Sequence, residues 1–460
     1  MIFKQFIQED LACASYLVGD AGVAAVVDPK LEIDDYLESA RYLGLRIEHV
    51  LETHNHADHV SGHGRLAAAT GATIHVHRLA SPSYEHEPFD DGWELELGEL
   101  TIRALHTPGH RPEHTAFALI DRSRSTDPWA ALTGDTLFVG DVARPDLAID
   151  RTEGAKGIFR SLQEQLLVLP PHVEVWPGHL GGSMCGSGAM SPKIASTLAF
   201  ERSHNELLQL GDEASFVAES LRRIGPQPPN FENIVALNRG ALDAEEVPAR
   251  PLSPRQLRSR VEAGAFLVDL RTSQQFDDAH VPGAVHVTIL EPGFASKLAW
   301  LADREREIVF VGRDDADGIL AVQRAQAVGL RRLGGYLGGG MTAWRREDGA
   351  VERTGRIDLE DLKRLFDAGE VQILDVRERS EVEEGRIEGS LAVPWHSIDA
   401  VPEGLDPGQP IATVCASGKR AGVAASLLQR FGASDVAHVS CGGVTQWKAN
   451  GWPTAKEEER

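Results

Sequence analysis

The segment Thr53-His54-Asn55-His56-Ala57-Asp58-His59 packs three imidazoles and a carboxylate into six residues. It follows Ile47-Glu48-His49-Val50-Leu51-Glu52, a run that reads as a strand, and it precedes a helix expected near Ser61 to Thr70. On an extended backbone, side chains two apart share a face, so His54 and His56 are expected to point the same way. Asp58 and His59 then fall in the turn before the helix. Burying a cluster this polar is costly unless something uses its lone pairs. A metal ion would, and neutral imidazole with carboxylate suits zinc or iron.

Further ligand types recur at the ends of apolar runs. His106-Thr107-Pro108-Gly109-His110 follows Leu100-Thr101-Ile102-Arg103-Ala104-Leu105. Thr133-Gly134-Asp135 closes Ala130-Ala131-Leu132, and Pro177-Gly178-His179 closes Val173-Glu174-Val175-Trp176. The glycine beside each ligand permits a tight turn and close backbone approach. Over about the first 245 residues the chain resembles the metallo-β-lactamase superfamily. His54, His56, Asp58, His59, His110, Asp135 and His179 match its seven ligand positions in order. The resemblance implies an αββα sandwich with the metal at one edge. Asp28, in Val26-Val27-Asp28-Pro29, is expected to support a ligand from behind.

A chain of 460 residues is too long for one core, and two to four domains are expected. The formal charge of -23 argues against nucleic acid or an anionic membrane as partner. Four cysteines do not make a disulfide framework at this length, so a reducing cytoplasm is expected. The N-terminus, Met1-Ile2-Phe3-Lys4-Gln5-Phe6, lacks the apolar core of a signal peptide, and no apolar run is long enough to span a bilayer.

Pro-rich stretches at Gly225-Pro226-Gln227-Pro228-Pro229 and Val247-Pro248-Ala249-Arg250-Pro251 interrupt the pattern, and the second is read as a linker. Beyond it the chain repeats. Val268-Asp269-Leu270-Arg271 answers Leu374-Asp375-Val376-Arg377, and Gly339-Gly340-Met341-Thr342-Ala343-Trp344 answers Gly442-Gly443-Val444-Thr445-Gln446-Trp447. Short strands alternate with helices in each copy, as in a small parallel α/β domain. The expected domains are 1–247, 252–350 and 355–460.

The second copy carries Cys415-Ala416-Ser417-Gly418-Lys419-Arg420 between an apolar run and a helix expected to begin near Ala421. Loop amides and a helix N-terminus stabilise a thiolate there, and Lys419 and Arg420 add positive charge at the rim. Both copies resemble rhodanese sulfurtransferases, which carry sulfane sulfur as a cysteine persulfide. The resemblance implies catalytic roles for Cys415, Lys419 and Arg420. In the first copy Gly312 stands at the cysteine position and Asp317 at the arginine, so this copy is read as inactive.

The fusion narrows the chemistry. Gly140-Asp141-Val142-Ala143-Arg144-Pro145-Asp146 is similar to a loop of the persulfide dioxygenases, in which the arginine binds the carboxylate of the thiol cosubstrate. That resemblance implies one Fe(II) per metal domain, held by His54, His110 and Asp135. His56, Asp58, His59 and His179 would support them or hold a second ion, and Arg144 would bind substrate. The expected enzyme oxidises a small thiol persulfide with dioxygen and passes sulfane sulfur from a donor through Cys415. One alternative is a dizinc thioester hydrolase of the glyoxalase II type with an accessory sulfurtransferase domain, and the alternative cofactor to iron is zinc, one ion or two. Another is a non-enzymatic persulfide sensor and sulfur carrier. Cys185, six residues past His179 in a glycine-rich loop, is a further expected sulfur acceptor. Cys13 is read as core packing and Cys441 as structural. The architecture is compatible with a homodimer.

Overall fold

Apolar strand runs build two six-stranded sheets in the N-terminal half of this computed structural model. The structure describes every residue except 187, 243–245 and 457–460. The chain divides into two compact units, Met1–Glu246 with Arg324–Leu330, and Val247–Gln323 with Arg331–Arg460.

In the first unit, one sheet runs in sequence order through Ile2–Gln8, Cys13–Asp20, Val23–Val27, Arg46–Leu51, Thr73–His77 and Glu87–Phe89. The other is ordered Ser196–Thr197, Glu174–Pro177, Ala130–Gly134, Thr115–Asp121, Leu100–His106 and Glu94–Leu97. Alternation along the strands gives each sheet two apolar faces. Tyr16, Val18, Val27 and Leu51 of one sheet meet Phe117, Leu119 and Leu132 of the other in a shared core. The opposite face of the first sheet packs Val26, Val50 and Ile74 with Tyr36 and Leu66, from the helices Asp34–Leu43 and His63–Thr70. The second sheet packs Ala116, Ala118 and Val175 with Ile158 and Phe216, from the helices Arg151–Ser161 and Glu213–Arg222. The result is an αββα sandwich.

The second unit contains two five-stranded parallel sheets of identical order. The first is Pro251–Leu252, Leu333–Leu337, Ile308–Val311, Phe266–Asp269, Val285–His286. The second is Gly355–Ile357, Val436–Val439, Ile411–Val414, Gln372–Asp375, Leu391–Ala392. Asp269–Arg271 and Asp375–Arg377 form matching buried ion pairs, 2.6 and 2.7 Å, at the ends of equivalent strands. No helix among the described residues is long and apolar enough to cross a membrane.

Candidate metal centre and sulfur-carrying loop

The strand expected over 47–52 ends at Leu51, and residues 52–59 form an irregular loop. The period-two rule therefore does not govern His54 and His56. Their rings lie 4.2 Å apart but enter different pockets. The seven positions fall into three main groups, His54 with His110 and Asp135, His56 with Asp28 and Glu52, and Asp58 with His59, His179 and Cys13, and a fourth cluster, Asp135 with His179 and Cys185, bridges the first and the third.

The first group offers bare lone pairs. His54 Nε2, His110 Nε2 and Asp135 Oδ2 are buried, and none has a hydrogen-bond partner. Asp135 Oδ2 is 3.9 Å from His54 Nε2 and 3.4 Å from His110 Nε2. The remote nitrogens explain why these faces are bare. Thr53 donates its hydroxyl proton to Asp28 Oδ2 at 2.8 Å, so the same oxygen accepts from His54 Nδ1 at 2.9 Å. His110 Nδ1 donates to the carbonyl of Arg144 at 2.9 Å. Each imidazole thus carries its proton on Nδ1 and presents Nε2 as an acceptor, the arrangement a metal-binding histidine needs. Burial foremost, then the charge of His56, pushes His54 well below the usual histidine range. Burial likewise lowers His110 against the pull of Asp135. Burial would raise the Asp135 carboxyl, but the His179 charge and hydrogen bond outweigh it and hold it at about 2. Two neutral imidazoles and a carboxylate converging inside a buried pocket fit a divalent metal and leave coordination positions free.

The second group is an ion-pair network. His56 Nε2 lies 3.1 Å from Asp28 Oδ1 and 3.4 Å from Glu52 Oε2. Burial alone would depress His56, but Asp28 and then Glu52 raise it well above the ordinary value, which makes it a buried imidazolium. Glu52 is tied further by the Ser61 hydroxyl at 2.6 Å and by His63 Nδ1 at 3.3 Å. The helix begins at His63 rather than Ser61, and Ser61 itself is paired with Lys30 in an isolated antiparallel bridge.

The third group is closed by its own hydrogen bonds. His179 Nδ1 pairs with Asp135 Oδ1 at 2.7 Å and Nε2 with Asp58 Oδ2 at 2.8 Å, while His59 Nδ1 pairs with Asp58 Oδ1 at 3.2 Å. Asp135 thus turns one oxygen to the bare set and the other to the closed set.

Arg144 departs from its expected role. It is 4% exposed. Its guanidinium grips Asp146 through Nε at 2.7 Å and a terminal nitrogen at 2.9 Å, and it donates to the carbonyls of Met184, Gly225 and Pro226. A guanidinium has five N–H donors, and these contacts leave none for a substrate carboxylate. Its service to the centre is the backbone carbonyl that orients His110. Cys185 is buried in the apolar cluster with Phe138 and Leu207. Burial foremost, with Asp58, pushes its thiol up to about 12 despite nearby His179, which disfavours the thiolate a sulfur acceptor needs.

Several contributors carry no signal in the sequence motifs. His114, four residues after His110, accepts from the Asp135 amide at 2.8 Å and so fixes the backbone that carries the Asp135 carboxylate. Gly134 at φ +48° allows this, because a Cβ there would lie 2.6 Å from His114 Nε2. Glu52 and Cys13 fall in runs that look like plain strand and core. Both face the ligand loop, Cys13 at 3.2 Å from His179 Nε2.

In the second unit, Cys415 ends the strand Ile411–Val414 and is buried, and the Gly418 amide donates to its Sγ at 3.1 Å. The helix after it spans Lys419–Arg430, two residues earlier than expected. Gly443, at φ +94°, backs the loop, and a Cβ there would lie 2.1 Å from the Cys415 carbonyl oxygen. Arg420 is held by Glu381 at 2.8 Å, and Lys419 approaches Glu291 at 3.3 Å. Cys441 is exposed. In the first copy the equivalent space is filled. Asp317 folds in to accept from the Arg313 amide at 2.9 Å and pairs with its guanidinium at 2.8 Å. A Cβ on Gly312 would stand 2.6 Å from the Asp317 Cβ.

Comparison with known proteins gives two family matches. Residues 9–179 match the metallo-beta-lactamase superfamily, and residues 253–347 and 358–450 each match the rhodanese-like domain. The human mitochondrial persulfide dioxygenase ETHE1 is 30% identical over 182 residues, 39% of this chain and 68% of that protein. A hydroxyacylglutathione hydrolase of Methylococcus capsulatus is 36% identical over 165 residues, 35% of this chain and 58% of that protein. A crystal structure of a metallo-beta-lactamase from Staphylococcus aureus superposes with a TM-score of 0.65 at 28% identity, covering 73% of this chain and 98% of that one.

Proposed function

The chain belongs to the metallo-beta-lactamase superfamily and carries two rhodanese-like domains, and from this premise we propose that it oxidises a small thiol persulfide to sulfite at a mononuclear iron site and carries sulfane sulfur on Cys415. The reaction balances as RSSH + O2 + H2O giving RSH, bisulfite and a proton. Iron(II), when bound, supplies the redox chemistry and open positions that dioxygen and a sulfur ligand require. His54, His110 and Asp135 would hold it. Thr53 and the Arg144 carbonyl keep both imidazoles in the ligating tautomer, and His114 fixes the backbone that carries the carboxylate. His56 and His179 bind neighbouring carboxylates and stay out of the coordination set.

The observation that carries this reading is the set of three bare buried atoms that converge on one another, His54 Nε2, His110 Nε2 and Asp135 Oδ2. His56, whose ring nitrogens also lack a hydrogen bond, faces the carboxylates of Asp28 and Glu52 instead, and Asp58, His59 and His179 bond one another. The likeness to the human persulfide dioxygenase supports the substrate class. The likeness to a hydroxyacylglutathione hydrolase keeps dizinc thioester hydrolysis as a second reading. It requires a second ion in the closed set.

Sulfur transfer at Cys415 forms a bond from its Sγ to the donor's outer sulfur, while the donor's S–S bond breaks and its electron pair leaves on the thiolate. Asp135→Ala should abolish oxygen uptake with glutathione persulfide, at least about 1000-fold, and leave sulfur transfer intact. Cys415→Ser should do the reverse. Oxygen uptake by Asp135→Ala near the wild-type rate would overturn the assignment. So would sulfur transfer by Cys415→Ser near the wild-type rate.

A further inference from the structure

Cys13 opens the strand Cys13–Asp20 and forms an isolated antiparallel bridge with His179. Its Sγ stands 3.2 Å from Asp58 Oδ2, 3.2 Å from His179 Nε2 and 3.7 Å from His59 Nδ1. Those are the three residues that would bind a second ion in a two-metal centre. We propose that Cys13 sets the metal count of this centre at one by occupying the second position with a hydrogen-bonded thiol. The inference rests on the reading that His54, His110 and Asp135 hold the first ion.

An ion shared by Asp58, His59 and His179 would need one lone pair from each, converging at about 2.0–2.2 Å. On the side that faces Cys13 those atoms are already engaged. His179 Nε2 is spent on Asp58 Oδ2, His59 Nδ1 on Asp58 Oδ1, and His179 Nδ1 on Asp135 Oδ1. None of these atoms lacks a partner, whereas in the first set all three facing atoms do. Thiol sulfur is in contact with each of the three residues and takes the volume between them. Backbone pairing fixes the main chain of Cys13 beside His179. The Ala14 amide donates to the Gly178 carbonyl at 2.8 Å, and the Leu180 amide to the Ala12 carbonyl at 2.9 Å.

Cobalt(II) titration of metal-free full-length protein tests this by optical spectroscopy. Wild type should bind one equivalent with no thiolate-to-cobalt charge-transfer band in the near ultraviolet. Cys13→Ala should bind two, and Cys13→Ala/His54→Ala should keep only the second. Two equivalents in wild type would overturn the proposal, as would a thiolate band that Cys13→Ser removes or a Cys13→Ala protein that stays at one. The wild-type stoichiometry and spectrum keep the proposal falsifiable even if a variant fails to fold. A single equivalent that persists in His54→Ala alone would instead sink the assignment of the first set.

Discussion

Two pockets open on either side of one short loop, and they treat the same residue type in opposite ways. His54 and His56 are two residues apart, with ring centres 4.2 Å apart. His54 shares a pocket with His110, each donates its Nδ1 proton outward, to the Thr53 hydroxyl oxygen and the Arg144 carbonyl, and each Nε2 is left facing the pocket bare. His56 enters a pocket containing two carboxylates, Asp28 and Glu52, and is driven to its charged form. A histidine's neighbours, and not its place in a motif, thus decide whether it is a ligand or a counter-ion.

The largest test of this contrast within the closed pockets is His56→Gln. It leaves two buried carboxylates without their cation, and breaking such a pair costs about 3–5 kcal/mol. The pH dependence has a definite sign. His56 is raised in the folded protein, so its stabilisation is fully present below the unfolded value of about 6.5 and fades as pH rises through the folded value. Glu52 is held at about 2, so its share is present above its unfolded value of about 4.3. The deficit of His56→Gln in urea unfolding of metal-free protein should therefore peak between those unfolded values and shrink at alkaline pH. A deficit that grows with pH would break the comparison.

A smaller effect is expected from Thr53→Val, which deletes the acceptor for His54 Nδ1 and frees the imidazole to rotate or change tautomer. Metal affinity should fall about 10- to 100-fold with the stoichiometry unchanged, read by competition with a chelator. Smaller still is Ser61→Ala, which removes the 2.6 Å bond to Glu52. A loss of about 1.5 kcal/mol in stability is expected, with metal affinity unaltered. Equal effects of Thr53→Val and Ser61→Ala on metal affinity would show that the two pockets are not separate.

Much of this is legible in the sequence because strand ends carry their own signals. Apolar runs followed by glycine and a ligand residue locate His110, Asp135 and His179, and the loop after Val414 locates Cys415. What is not legible follows from geometry that spacing does not encode. The strand stops at Leu51, so the two-residue period says nothing true about His54 and His56. Arg144 looks available because Asp146 is its only nearby partner in sequence, while Met184, Gly225 and Pro226 supply carbonyls from 40 or more residues away. Cys13 is a strand residue whose role depends on His179, 166 residues later.

The two rhodanese-like copies repeat the lesson. Gly312 alone signals a missing nucleophile, but only the structure places Asp317 inside the loop, bonded to Arg313. Gly312→Cys should therefore gain no sulfur transfer in a Cys415→Ser background. Transfer restored by that single change would mean that the first loop is open.

Metal content of the anaerobically purified full-length chain, set beside that of Asp135→Ala, addresses the central claim most directly. The account predicts about one iron per wild-type chain and none in the variant, with oxygen uptake on glutathione persulfide following the iron. Two zinc ions per wild-type chain, with thioester hydrolysis and no oxygen uptake after iron loading, would contradict it.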